Sequence, residues 1–373
     1  MKPLLASVAA LCLLAGSGPA FADIKIGVIA GMSGPGTSYG IGIQQGAEMA
    51  IKEINDAGGI GGQKLQLVVV DDASNPAQSV TAMQSLVSQG VDLVVGGWGS
   101  SQVLANMEVS ERAGVPYVVV GATNPHITSD KNKWTFRVIQ TDSLMAEQIA
   151  QSATGVLKMK RIAVINDSND YGVGNRDIFI AALKTAGMQP VEVESYQSSD
   201  KDFTSQLARI RAAEPDGLAI FGTIPAAPAI MNQARDFGIT ARFIGTGGLA
   251  NEALISLAPQ ASEGAVLTTY FSEDVDAEGK AWADRYVKAF SEGSQTPRPV
   301  LAAWEYRTIK FIVAPCLAKN GVDKTKMREC IASFKGKIFG LPGEASFDKT
   351  GQLEQQPVLV EVHKGSFRGF KAN

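Results

Sequence analysis

The sequence predicts an α/β protein of two doubly wound lobes, each a parallel sheet covered by helices, joined by a three-segment hinge. Three observations predict it. Apolar runs of strand length alternate with helical stripes from residue 24 onward, the alternation restarts at Arg161, and a helical tail follows both series. Strands this apolar are buried on both faces, which requires a parallel sheet packed between helices.

In the first series, Ile24–Ile29 reads as a strand, and 41–55 as a helix with Ala47, Ala50, Ile51 and Ile54 on one stripe, stopped at Ala57-Gly58-Gly59. Strand 65–70, helix 76–88, strand 93–95, helix 102–112 and strand 117–120 follow. The second series runs through strand 162–165, helix 172–185, strand 190–196, helix 203–213, strand 217–221, helix 226–237 and a short strand at Phe243-Ile244. In the tail, helices over 277–291, 300–318 and 324–334 are expected to return to the first lobe, and a last strand over 357–363 to join the second. The chain would then cross between lobes near Thr141, Tyr270 and Leu353, placing 23–142 plus 271–353 in lobe 1 and 143–270 plus 354–373 in lobe 2. Three crossovers make a hinge with one soft mode. Loops at the carboxyl ends of both sheets would line one shared cleft.

The N-terminus carries an export signature. Met1-Lys2 supplies a positive charge, Leu4 to Leu14 is almost wholly apolar, and Ala20-Phe21-Ala22 is the small-x-small pattern of a cleavage site. Residues 1–22 are therefore expected to be a signal peptide cut after Ala22, with a periplasmic mature chain. That apolar run is too short to span a bilayer, which takes roughly 20 residues. No later run qualifies, so membrane insertion is not expected. Leu11 before Cys12 argues against a lipid anchor, which wants a small residue there. The mature chain keeps Cys316 and Cys330. In an oxidising compartment they are read as a disulfide worth about 3 kcal/mol, the alternative being two buried thiols.

Composition narrows the function. Charged residues are 19% of the chain, net charge is −3 and no basic block exists, which excludes a nucleic-acid partner. Gly40-Ile41-Gly42 with Gly46 imitates a dinucleotide fingerprint, but its last spacing is one residue too long and the loop from strand to helix is too wide. Neither His126 nor His363 falls in a pattern that brings it to a serine or a metal. No enzyme, metal or cofactor is expected.

A set of residues in order then carries a resemblance: Ile26-Gly27-Val28, Met32-Ser33-Gly34-Pro35, Gly46-Ala47, Ile54-Asn55, Gly58-Gly59-Ile60, Asp71-Asp72, Gly121-Ala122-Thr123-Asn124-Pro125, Asp170-Tyr171-Gly172, Lys201-Asp202-Phe203 and Phe347-Asp348. Over the mature length the chain resembles the branched-chain-amino-acid type of periplasmic binding protein, the receptor of an ATP-binding-cassette (ABC) importer. The resemblance implies a type I periplasmic-binding-protein fold, a small-molecule ligand captured without chemistry, permease subunits as partners and a monomer. It also implies that Ser100 holds a ligand carboxylate, that Ala122 contributes a backbone contact and Thr123 a side-chain contact, and that Tyr39 and Tyr171 cover the ligand from the two lobes.

The residues support these roles separately. Ser100 and Ser101 fall between a strand and a helix, where they read as N-caps beside free N–H groups and a positive helix end, an anion site. The bland alternative for Ser100 is a plain helix cap, and for the two tyrosines, structural packing. Trp98, alone among glycines on the same loop, has little core to fill.

Two departures from the pattern bear on the ligand. Gly247, in Gly245-Thr246-Gly247-Gly248, stands where the family has the glutamate that holds the ligand's ammonium. Gly222-Thr223-Ile224-Pro225 lacks a family aromatic. An ammonium left unpaired in a closed cleft costs roughly 3 to 5 kcal/mol. The expected ligand is therefore a small carboxylate-bearing molecule, an aromatic or aliphatic organic acid or an apolar amino acid, with room made for it by Gly247 and Gly248 and a distal hydroxyl held by Thr223 or Asn251. The alternatives are a branched-chain amino acid, with Asp142 or Asp170 replacing the glutamate, and a ligand-sensing receptor. The absence of an anchor or output domain favours transport over sensing.

Overall fold

The computed structural model describes residues 23–370 except 130, 272–275, 291–299 and 342. The expected signal peptide lies outside the described residues.

The first sheet is built from β1 (Ile24–Ala30), β2 (Leu65–Asp71), β3 (Leu93–Gly96), β4 (Tyr117–Val119) and β5 (Thr135–Arg137). Its order is β2-β1-β3-β4-β5, parallel throughout. Successive side chains alternate between faces. Val94 and Val119 pack under α2 (Pro76–Ser88) and α3 (Ser100–Ala113), with Met83, Leu86 and Val103. Val95 and Val118 face the opposite way, towards Ile43 and Ala47 of α1 (Thr37–Asp56).

The second sheet repeats the design with β6 (Ile162–Asp167), β7 (Glu192–Tyr196), β8 (Gly217–Phe221), β9 (Arg242–Gly245) and β10 (Val266–Thr269). One face carries α4 (Asp142–Gln151) and α5 (Asp170–Thr185), through Ile149, Phe179 and Leu183. The other carries α6 (Thr204–Ala212), α7 (Ala227–Asp236) and α8 (Glu252–Leu257), through Leu207, Ile230, Met231 and Leu254.

The tail divides between the two. Helices α9 (Ala277–Phe290) and α10 (Val300–Arg307) lie on the first lobe. Tyr306 donates to Glu53 of α1 at 2.6 Å, and a Cβ at Gly46 would sit 2.4 Å from the Ala302 carbonyl oxygen, so the helices meet backbone to backbone. The single helix expected over 300–318 is interrupted by a wider π-helical stretch at Thr308–Val313 before α11 (Ala314–Asn320). A disulfide joins Cys316 in α11 to Cys330 in α12 (Lys324–Ala332). A small antiparallel sheet of β11 (Lys335–Gly336), β12 (Ala345–Phe347) and β13 (Leu353–Glu354) follows. Finally β14 (Val358–His363) pairs antiparallel with β10, and β15 (Ser366–Gly369) hairpins back on it.

The strands without a sequence signal are β5, β10, β15 and the small sheet. Each is four residues or fewer, too short to show a period. Strand β5 also contains a charge. Arg137 is fully buried, and its guanidinium donates to the Asn124 carbonyl at 2.6 Å, Thr128 Oγ1 at 3.0 Å and Gln352 Oε1 at 2.6 Å.

Glutamines stitch together the segments that pass between the sheets. Gln352 Nε2 donates to the Ile139 carbonyl at 2.7 Å, Gln140 Nε2 to that of Gln356 at 3.1 Å, and Gln355 to that of Val138.

Candidate functional site

The carboxyl ends of the two sheets face each other across a cavity of about 220 Å³. Strand β3 ends at Gly96 and Gly97, whose φ values of 125° and 77° lie in the left-handed region. A Cβ at Gly97 would come within 2.1 Å of Tyr117 Oη, so only glycine allows this kink. The kink turns the chain through Trp98 and Gly99 into α3. Gly99 is the N-cap and makes no side-chain cap. Ser100 and Ser101 are thus the first residues of the helix and not its caps, one or two positions from the expected place. With Gln102 they line the cavity at the positive helix end, where first-turn N–H groups have no intrahelical acceptor.

The hydroxyls of the two serines do different things. Ser100 Oγ accepts from the Asn124 amide at 3.2 Å, which ties the loop after β4 to α3 and leaves its own proton to donate. Ser101 Oγ donates across the cleft to Asp170 Oδ2 at 2.7 Å.

Tyr39 and Trp98 stack at 5.3 Å with their planes 8° apart. The indole fits because Gly36 has no side chain; a Cβ there would lie 2.3 Å from the ring. Tyr39 Oη reaches the second lobe, donating to the Gly248 carbonyl at 2.7 Å and accepting from the Ile224 amide at 3.1 Å. From the other side, Tyr171 Oη accepts from the Gly248 amide at 2.9 Å and bonds Thr246 Oγ1 at 2.9 Å. Burial pushes both phenols above their usual range, so they act as neutral hydroxyls.

The space at Gly247 and Gly248 is not free. A Cβ at Gly247 would lie 2.2 Å from Cζ of Tyr270, and one at Gly248 would lie 2.5 Å from Tyr171 Oη. The room attributed to these glycines is filled by two tyrosine rings, which then form the cavity wall. Tyr270 is held by Trp304, whose Nε1 donates to its carbonyl at 3.1 Å. No sequence signal singled out Tyr270; it sits just past the end of β10 with no motif of its own.

Tyr39, Trp98, Ser100, Ser101, Tyr171, Thr223 and Gly247 line this one cavity, as does Asn251. Ala122 and Thr123 do not. The Ala122 side chain packs into the core beneath α2 and α3, and its amide donates to the Gly97 carbonyl at 3.2 Å. Thr123 is fully buried one layer back, against the Asp142 carboxyl and the Tyr270 phenol.

The acids also differ from expectation. Asp142 does not line the cavity; it opens α4, which Thr141 caps through its hydroxyl. Asp142 is buried behind the site, accepting from Asn175 Nδ2 at 2.7 Å, and burial pushes its carboxyl up to about 6 against the pull of Thr123, Asn175 and Arg137. Asp170 is engaged by Ser101. The carboxylate that lines the cavity is Asp167, at the end of β6, and no lysine or arginine is among the described lining residues. It accepts from Ser198 Oγ at 2.7 and 2.8 Å and from the Asn169 amide at 3.2 Å, and burial raises its pKa. Asp167 lay unread because an acid ending a strand is usually solvated. Among the described residues no acidic, His or Cys cluster could hold a metal, and no helix is long and apolar enough to cross a membrane.

The periplasmic binding protein family matches residues 23–366. The chain belongs to that family. It is 30% identical over 351 residues to the Leu/Ile/Val-binding protein homolog 1 of Brucella abortus (strain 2308), covering 94% of this chain and 93% of that one. It is 31% identical over 347 residues to the leucine-, isoleucine-, valine-, threonine- and alanine-binding protein of Pseudomonas aeruginosa, with coverages of 92% and 91%. Among solved structures it is similar to a branched-chain amino acid transporter substrate-binding protein from Streptococcus pneumoniae in complex with isoleucine, at 27% identity and a TM-score of 0.85, covering 93% of this chain and 98% of that one. The two-lobed type I fold and the resemblance drawn from the motifs are thus both met. The chain is a solute-binding protein of the ABC-transport class and not an enzyme.

Proposed function

We propose that this protein captures an organic acid without an α-ammonium between its lobes in the periplasm and hands it to the permease subunits of its importer. One observation carries the ligand: Gly247 stands where the resemblance implies the acid for a ligand ammonium, and the Tyr270 ring fills the space a side chain there would need. The opposite wall is suited to the carboxylate. Ser100 and the first-turn N–H groups of α3 form a positive, hydrogen-bonding end in a cavity that no described lysine or arginine lines. The stacked Tyr39–Trp98 pair offers a flat apolar surface, which favours an aromatic body. Thr223 and Asn251 line the same cavity.

Export rests on the N-terminal leader signature, with cleavage after Ala22. The hinge consists of the segments near Thr141, Tyr270 and Leu353, and residues 23–142 plus 271–353 move as one lobe against 143–270 plus 354–373. The protein acts as a monomer, one ligand per chain.

A second reading is an apolar amino acid, favoured by the amino-acid-binding proteins at 30% and 31% identity and by Asp167, which lines the cavity where Asp142 and Asp170 do not. A thermal-shift panel separates the two. Aromatic and aliphatic acids are expected to raise Tm while leucine and valine do not. Stabilisation by leucine or valine, with their deaminated analogues inert, overturns the organic-acid reading. Mass spectrometry of small molecules that co-purify gives the identity directly.

A further inference from the structure

Resting on that assignment of the carboxylate to α3, we infer that Asp167 is the specificity-determining residue for the remote end of the ligand, where it accepts a hydrogen bond from a hydroxyl or amino group.

Asp167 ends β6 on the second lobe, whereas α3 belongs to the first, and both line the same cavity. A bound molecule that reaches both is held by each lobe. The carboxylate is positioned. Ser198 Oγ donates to it, the Asn169 amide donates to Oδ1, and Asn169 Nδ2 in turn donates to Ser198 Oγ at 3.3 Å. Asn169 is itself fixed, its Oδ1 capping α5 at the Gly172 amide, 2.9 Å away. A carboxylate offers about four acceptor sites, so these donors leave capacity unused. No described cation in the cavity takes it up. Burial and the neighbouring Asp200 charge both raise its pKa, as expected of an acceptor held in a partly desolvated place.

The same charge orients the ligand. A ligand carboxylate is repelled from Asp167 and attracted to the end of α3, so the anionic group goes to the first lobe and a donor to the second. An acid whose far end is wholly apolar would cover Asp167 without satisfying it, and sites built to bond a hydroxyl discriminate strongly against analogues that lack it.

Titration calorimetry with benzoate, 3-hydroxybenzoate, 4-hydroxybenzoate and 4-methoxybenzoate tests this. In the wild-type protein the better hydroxybenzoate is expected to bind about tenfold or more tightly than both benzoate and the methoxy compound, which has the oxygen without the proton. In Asp167→Ala that ratio, taken within the variant, is expected to fall to about one. If the alanine variant does not fold, Asp167→Asn serves, because a neutral amide accepts more weakly and the ratio should fall several-fold. An undiminished ratio in either folded variant overturns the proposal, as does the lack of any hydroxyl preference in wild-type protein that binds benzoate. If none of the four acids binds, the assignment of the carboxylate to α3 has failed, and this inference with it.

Discussion

At the scale of single residues, Ser100 and Gly247 divide the site between what a side chain supplies and what its absence permits. If Ser100 donates to a ligand carboxylate, Ser100→Ala removes a hydrogen bond to a charged group, worth about 1.5–3 kcal/mol, or roughly tenfold to over a hundredfold in Kd by calorimetry. Unchanged affinity would leave Ser100 as the residue that anchors the Asn124 amide and nothing more. Gly247 is constrained by its neighbour. With Cζ of Tyr270 2.2 Å from the place of a Cβ, Gly247→Ala must displace a buried ring and is expected to cost about 1–3 kcal/mol in chemical denaturation. In a Tyr270→Ala background most of that cost should vanish, because the obstructing atoms are gone. Equal costs in the two backgrounds would mean that the ring is not the obstacle.

At the scale of elements, close backbone approach and covalent closure stabilise the first lobe. Helix α1 lies on α10 at Gly46, where a Cβ would meet backbone atoms of Ala302 that cannot swing aside. Gly46→Ala is therefore expected to lower Tm by several degrees; a neutral result would show that the helices slide apart freely. The disulfide between α11 and α12 closes a short loop, for which chain entropy accounts for about 3 kcal/mol. Replacing both Cys316 and Cys330 by serine should lower stability by about that amount and leave ligand affinity intact, since neither helix lines the cavity. A large loss of affinity would contradict this separation.

At the scale of the whole molecule, the lobes are latched by polar contacts that cross the cleft: Tyr39 to Ile224 and Gly248, and Ser101 to Asp170. The Asp170 carboxylate begins α5 and bonds a serine in the first turn of α3, so one negative charge lies between two positive helix ends. Asp170→Asn should weaken this latch and enlarge the radius of gyration in solution scattering; an unchanged radius would remove the latch from the account. Asp142, buried at the start of α4, adds a pH dependence. Its folded pKa of about 6 lies above the value of a free aspartate, so the folded state binds the proton more tightly. Its ionisation therefore costs stability as pH rises through 6, and lowering pH from 7 to 5 restores on the order of 1 kcal/mol. Asp142→Asn should abolish that gain in paired denaturation curves, and a gain of the same size in the variant would refute the assignment.

Much of the fold was legible in the sequence because its evidence is local. Apolar runs, glycine stops and the restart at Arg161 each lie within a few residues, and they determined two parallel-sheet lobes. The loops of the site were legible for the same reason: in a parallel sheet the segment after each strand must reach the cleft, so Tyr39, Trp98, Ser100, Ser101, Tyr171, Thr223 and Gly247 converge. What fills the space beside Gly247 was decided by the tertiary structure alone. Tyr270 reaches it from just beyond β10, and no pattern of neighbours announces such a meeting. The choice of acid was settled in the same way. Asp142, Asp167 and Asp170 are alike as letters at the ends of elements, and only the packing of α4 and α5 against the second sheet puts the first behind the cavity, the second in its wall and the third on Ser101. Which way a side chain faces depends on atoms distant in sequence, and that information exists only once the lobes have folded and met.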